Sequence, residues 1–195
     1  MRRTWGFLAV GLLFSVTACT VTITVPARSP EPAPYETTLP STPLPASPAV
    51  VLDACPFLAV DELAWITGLS TEIRPLEQEA HVDGPQEDRY GCLYENSAQS
   101  SALAPHLQIV VPPKGGATVI AVVDDTAKAG CREPITAIAG VGDKAVYCES
   151  AKDPAKVIVT VGKLSHGEAR LAVLDIVKIR PDAYETVAKL LAERL

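Results

Sequence analysis

The stretch KVIVTVGKLSHGEARLAVLDIVKIRPDAYETVAKLLAERL, residues 156–195, decides the fold. Lys156 to Val161 is rich in β-branched residues, Ser165-His166-Gly167 has turn chemistry, and Glu168 to Ile179 resumes a β-prone run. Two strands separated by a turn are therefore predicted. Pro181 sits where a helix starts, because in the first turn its missing N–H costs little and its fixed φ suits the helix. Behind it Tyr184, Val187, Ala188, Leu191 and Leu195 recur at helical spacing and form one apolar stripe that core packing explains.

Working outward, Arg89 to Glu95, Ile135 to Ile138 and Lys144 to Cys148 read as further strands, as does His106 to Val111 between Pro105 and Pro112. The segment GATVIAVVDDTAKAG, residues 116–130, places Val119, Ile120, Val123 and Ala127 at helical spacing and ends on Gly130. In CPFLAVDELAWITG, residues 55–68, Leu58, Leu63 and Ile66 share a helical face. Asp61 and Glu62 suit the positive first turn of that helix, and Gly68 suits its stop. The sum is an α+β class: a single disulfide-stapled domain, residues 50–195, with an antiparallel sheet packed by N-terminal, middle and C-terminal helices.

The staples follow from cysteine arithmetic. Cys55, Cys92, Cys131 and Cys148 are an even set in a chain that carries an export leader, which favours two disulfides over a metal site. Three connectivities are possible. Cys55–Cys92 with Cys131–Cys148 is expected, because the second pair brackets a hairpin and the first ties the opening helix to the sheet. A zinc site would need CxxC or HxxxH spacing, and neither occurs.

Residues 1–18 have the layout of a signal peptide. Arg2 and Arg3 form the positive n-region, and Trp5 to Val16 is apolar but short for a membrane span. The segment closes on Val16-Thr17-Ala18-Cys19, which resembles the bacterial lipoprotein box, so Cys19 is expected to be lipidated and to become the mature N-terminus. Several acyl chains on one cysteine anchor a protein durably, where a single chain does so only marginally. Residues 19–49 then form a disordered linker. Pro26 to Pro48 holds nearly half of the 17 prolines and no apolar periodicity, and as polyproline II it reaches up to about 70 Å. Its Thr37, Thr38, Ser41, Thr42 and Ser47 have the composition of O-glycosylated stalks.

Charge excludes one class of partner. The formal charge is −6, and loss of Arg2 and Arg3 with the leader leaves 15 basic residues against 23 acidic, a balance of −8. Such a chain repels nucleic acid and anionic headgroups.

The lipobox, the Pro/Thr-rich spacer, Cys55-Pro-Phe-Leu58 opening a short helix that ends at Gly68, Gly91-Cys-x-Tyr94, and Gly140-Val-Gly-Asp-x-Ala145 together resemble small actinobacterial secreted lipoproteins of the mycobacterial type. The family is largely of unknown function. The resemblance implies a compact disulfide-bonded α+β domain on the extracytoplasmic face of the cell membrane. A looser likeness to the extracellular sensor domains of actinobacterial Ser/Thr kinases carries over only a binding role, since no kinase segment is present. His81 to Asp88 departs from the pattern as an insertion.

Candidate chemistry is sparse. Gly140-Val-Gly142-Asp-Lys-Ala145 formally fits GxGxxA, but a Rossmann unit needs a helix to begin there and Ala145 to Cys148 is strand-like, so a glycine turn is expected and no cofactor. The loop from His81 through Asp83 and Glu87 to Asp88 concentrates carboxylates without the ligand order of an EF-hand. Asp124, Asp125, Glu149 and Asp153 read as solvated charges. His81, His106 and His166 fall in a loop, at a strand start and in a turn, and no Gly-x-Ser-x-Gly elbow exists, so no catalytic residue is assigned. The expectation is a non-enzymatic envelope interaction or accessory protein, anchored to the membrane through Cys19 and binding an envelope protein. The alternative is a small-molecule or lipid carrier, or a sensor-like domain, with an apolar ligand between sheet and helices.

Overall fold

The computed structural model describes residues 47–68, 72–82, 87–96 and 103–195. The leader, Cys19 and the spacer up to residue 46 lie outside the described residues, as do residues 83–86 of the acidic loop. One antiparallel sheet of seven strands is described: β1 (Ile73–His81), β2 (Asp88–Asn96), β3 (His106–Val111), β4 (Thr136–Ala137), β5 (Lys144–Glu149), β6 (Lys156–Ser165) and β7 (Glu168–Val177). The helices are α1 (Val60–Thr67), α2 (Val119–Gly130) and α3 (Pro181–Arg194), with a 3-10 turn at Cys55–Phe57.

The spatial order is β1-β2-β3-β7-β6-β5-β4. Two meanders thus meet at the β3–β7 pair, and α2 carries the chain from the middle of the sheet to its far edge. The β6–β7 hairpin is in register from Lys156↔Val177 to Ser165↔Glu168, around a turn in which His166 and Gly167 both have positive φ. Strand periodicity sends Val157, Val159 and Val161, with their partners Ile176, Leu174 and Ala172, to one face, where all are buried. Each Val, Leu or Ile so buried contributes about 1.5–3 kcal/mol.

The sequence placed helices against the sheet without assigning faces, and the structure divides them. The 3-10 turn, α1 and α3 share the larger core with the hairpin residues above, whereas α2 packs Val119, Val123 and Ala127 on the opposite face over Val110, Val146 and Leu171. Gly162 makes that approach possible: a Cβ there would lie 2.5 Å from Val123 Cγ2 and 2.6 Å from Val119 Cγ1. α2 forms despite its β-branched residues because Thr118 caps it, accepting from the Ala121 amide, and because its apolar face is covered. On the larger core Arg194 makes a bidentate ion pair with Glu62 and donates to the Phe57 carbonyl, tying α3 to the start of α1.

Both expected disulfides are present. Cys55–Cys92 has a Cα–Cα distance of 4.9 Å and joins the 3-10 turn to β2, while Cys131–Cys148, at 5.6 Å, joins the end of α2 to β5 and brackets the β4–β5 hairpin. Loop closures of 37 and 17 residues correspond to about 3.8 and about 3.1 kcal/mol of chain entropy.

Strand β1 carries no sequence assignment and is an addition. It is an edge strand in which Ile73 alone is buried, and Pro75, Glu77 and Glu79 break the alternation that marks a half-buried strand. The domain also starts earlier than Val50, for Ser47, Pro48 and Ala49 are bonded to the sheet.

Candidate functional site

Two polar constellations stand out, both organised by the β6–β7 hairpin. The first binds the start of the domain to the sheet. Arg170 of β7 shares the inward parity of Ala172, Leu174 and Ile176, and is fully buried. Its Nη1 donates to the Pro48 carbonyl at 2.5 Å and its Nη2 to the Ala49 carbonyl at 2.9 Å, with Glu168 Oε2 3.8 Å from Nη2. Ser47 Oγ lies 2.9 Å from Ser165 Oγ and donates to the Leu195 main-chain oxygen at 2.6 Å, and the His166 ring is 3.3 Å from the Ser47 carbonyl. Residues 47–49 are thus a strap that satisfies a buried guanidinium beside the β6–β7 turn.

The second constellation lies toward the other end of the hairpin, on the face that bears α2. His106 of β3 stands directly opposite Asp175 of β7. Lys156 of β6, nearly buried, places Nζ 3.7 Å from Asp175 Oδ1 and donates to the Ala104 carbonyl at 3.5 Å. Burial pushes the His106 imidazole below its ordinary range; Asp175 opposes that shift and Lys156 adds to it. The ring's hydrogen-bond partner is Gln78 Oε1, at 2.7 Å. A histidine beside an aspartate is the orienting half of a nucleophilic triad, but an amide occupies the place where a hydroxyl or thiol would stand. The cluster offers charge, donors and acceptors, together with a titratable ring.

The remaining sequence candidates separate from one another. Asp124 pairs with Lys144 at 2.5 Å, Glu149 pairs with Lys178 at 2.6 Å, Asp153 accepts from the Ala155 amide, and Asp125 is exposed. The hydrogen bond from Lys178 holds Glu149 below the usual carboxylate range. His81 ends β1 and His166 occupies the turn, so the three histidines are not brought together. Gly140 and Gly142 have φ of 72° and 56° and lead into strand β5, with no helix at the glycines. A Cβ at Gly142 would sit 2.6 Å from the Gly162 carbonyl oxygen, so the glycine serves close backbone packing. Among the described residues, one grouping has metal-ligand atoms within 4.8 Å of one another: Cys55, Glu77 and Cys92. Both sulfurs are committed to the disulfide, and Glu77 accepts from the amides of Ala54 and Cys55.

The described residues border at least two clefts. One, of about 250 Å³, is bordered by Gly140, Gly142, Lys163, Lys189 and Glu193. The other, of about 410 Å³, lies between Thr136–Ala139 of the sheet edge, Tyr147, and Pro181, Asp182 and Glu185 of α3. The Tyr147 and Tyr184 rings, 5.0 Å apart, join α3 to β5 beside it. Sequence reasoning missed Arg170 and β1. For Arg170 a signal existed, since the period-two parity of the apolar residues in β7 already places it inward. No described helix is long and apolar enough to cross a membrane. No family model, no curated protein and no solved structure matches the chain.

Proposed function

We propose that the chain is an extracytoplasmic lipoprotein of actinobacterial type, held at the cell membrane through Cys19, whose domain is a non-enzymatic interaction module displayed on a proline-rich spacer. The observation that carries the reading is Val16-Thr17-Ala18-Cys19 closing a charged and apolar leader. Two disulfides accord with an oxidising compartment. The carrier reading is the weaker one for the two clefts above, whose borders include Lys163, Lys189 and Glu193 in one and Asp182 and Glu185 in the other and so suit an apolar cargo poorly.

The test is crosslinking in the native type of host, comparing wild type with Cys19→Ser. Recovery of the same partner in replicate experiments, lost on Cys19→Ser, supports a tethered interaction module. Failure to recover any reproducible partner from the wild type contradicts it.

A further inference from the structure

The two edges of the sheet are protected very differently. β1 carries Pro75, Glu77 and Glu79, and a bulge between Gln78 and His81 breaks its ladder. These are devices that stop another strand from pairing. β4, at the other edge, is blunted by its length of two residues and by Glu133-Pro134 just before it, but Ile135-Thr-Ala-Ile-Ala139 itself is uncharged and free of proline, and Thr136 and Ala137 are exposed. The Ile138 amide donates inward to the Ala145 carbonyl, so by strand alternation the N–H and C=O of Ala137 point to the open side. The Ile135 amide, which has the same outward parity, is taken by the Glu133 carboxylate. Alongside this edge runs the cleft of about 410 Å³, with Tyr147 within it and Asp182 and Glu185 as its charged residues.

We infer that the β4 edge is a docking edge for an extended, basic segment of a partner protein, which adds an eighth strand beside Ala137 and sets a lysine or arginine against Asp182 and Glu185. Main-chain hydrogen bonds give such strand addition its affinity, and alternate side chains give it specificity. Charge selects the occupant. Among the described residues the partners of Asp182 and Glu185 are the solvent-exposed Arg180 and Lys189, in ion pairs that are weak and displaceable. A second copy of this chain would bring acidic border against acidic border. The inference rests on the interaction reading and adds to it the surface and the chemistry of the partner.

The test uses the full chain in non-ionic detergent and a displayed library of random peptides of about ten residues, the upper length of ordinary strands. Selected peptides are expected to be β-prone and to contain lysine or arginine. Ala137→Pro removes the outward N–H at an edge position that tolerates proline, and should weaken them about tenfold or more. Ala137→Lys, which places a charge on the edge, should do the same if the proline variant fails to fold. Asp182→Asn with Glu185→Gln should weaken binding several-fold and flatten its salt dependence. Absence of enrichment, binders indifferent to both Ala137 variants, acidic binders, or self-association through the edge would each overturn the inference. A partner crosslinked in cells whose capture is unchanged by the Ala137 variants would sink the docking edge and leave the interaction reading intact; loss of any partner sinks that reading itself.

Discussion

Removing the strap should expose the cost of Arg170. Consider a chain that begins at Ser47 and one that begins at Val51, both with an acetylated N-terminus so that no ammonium sits beside the guanidinium; a start at Val50 would let the acetyl carbonyl replace that of Ala49. The truncation takes away the Pro48 and Ala49 carbonyls, which accept at 2.5 and 2.9 Å, together with Ser47 Oγ at 3.5 Å. What stays near the guanidinium is the Leu195 main-chain oxygen at 3.4 Å and Glu168 at 3.8 Å, while Nε already has no hydrogen-bond partner. A buried charge stripped of its partners costs about 3–5 kcal/mol, a large share of the roughly 5–15 kcal/mol that holds a domain folded. For a domain of this size that is a fall in Tm of about 6–20 °C. With Arg170→Met in place the same truncation should cost about 1 kcal/mol or less, because no charge is left behind and the two carbonyls lie where water reaches them. Urea unfolding of the four chains with both disulfides intact measures the coupling. A truncation cost that is the same in both backgrounds, or below about 1 kcal/mol with arginine present, would refute the view that the strap is there to satisfy Arg170.

Other substitutions probe the remaining contacts. Gly162→Val should destabilise by about 1–3 kcal/mol or more, since its Cβ falls within 2.6 Å of Val119 and Val123, and exchange protection should be lost first in α2. Tyr94→Phe removes the buried hydroxyl that donates to the Leu58 carbonyl at 2.6 Å, and should cost about 1–3 kcal/mol in denaturant unfolding. His106 is held below 6.5 in the folded chain, so the unfolded chain takes up the proton first. Stability should therefore be full above pH 6.5 and decline as the pH falls below it, and His106→Gln should remove that part of the slope.

Much of the fold is legible because its signals are local. Residues 156–195 alternate or recur at the period of the element they form, and the strand and helix boundaries from His106 onward lie within a few residues of their sequence assignments. β1 was illegible for a physical reason: an edge strand needs little burial and gains from proline and glutamate, which erase the period-two pattern. The division of helices between the two faces depends on the β3–β7 pairing, a contact between distant segments that no local periodicity encodes. The site followed the same rule. Cys55, Cys92, Cys131 and Cys148 were readable by number and spacing, whereas the approach of His106 to Asp175 and Lys156 arises only when three strands are laid side by side.

The central claim is the anchor, and the intact mass of the mature chain recovered from membranes of an actinobacterial host tests it most directly. The account predicts a chain that begins at Cys19 and carries a diacylglyceryl group with its acyl chains, and predicts that Cys19→Ala abolishes both the added mass and the membrane recovery. An unmodified chain released into the medium, or a mature N-terminus elsewhere than Cys19, would contradict it.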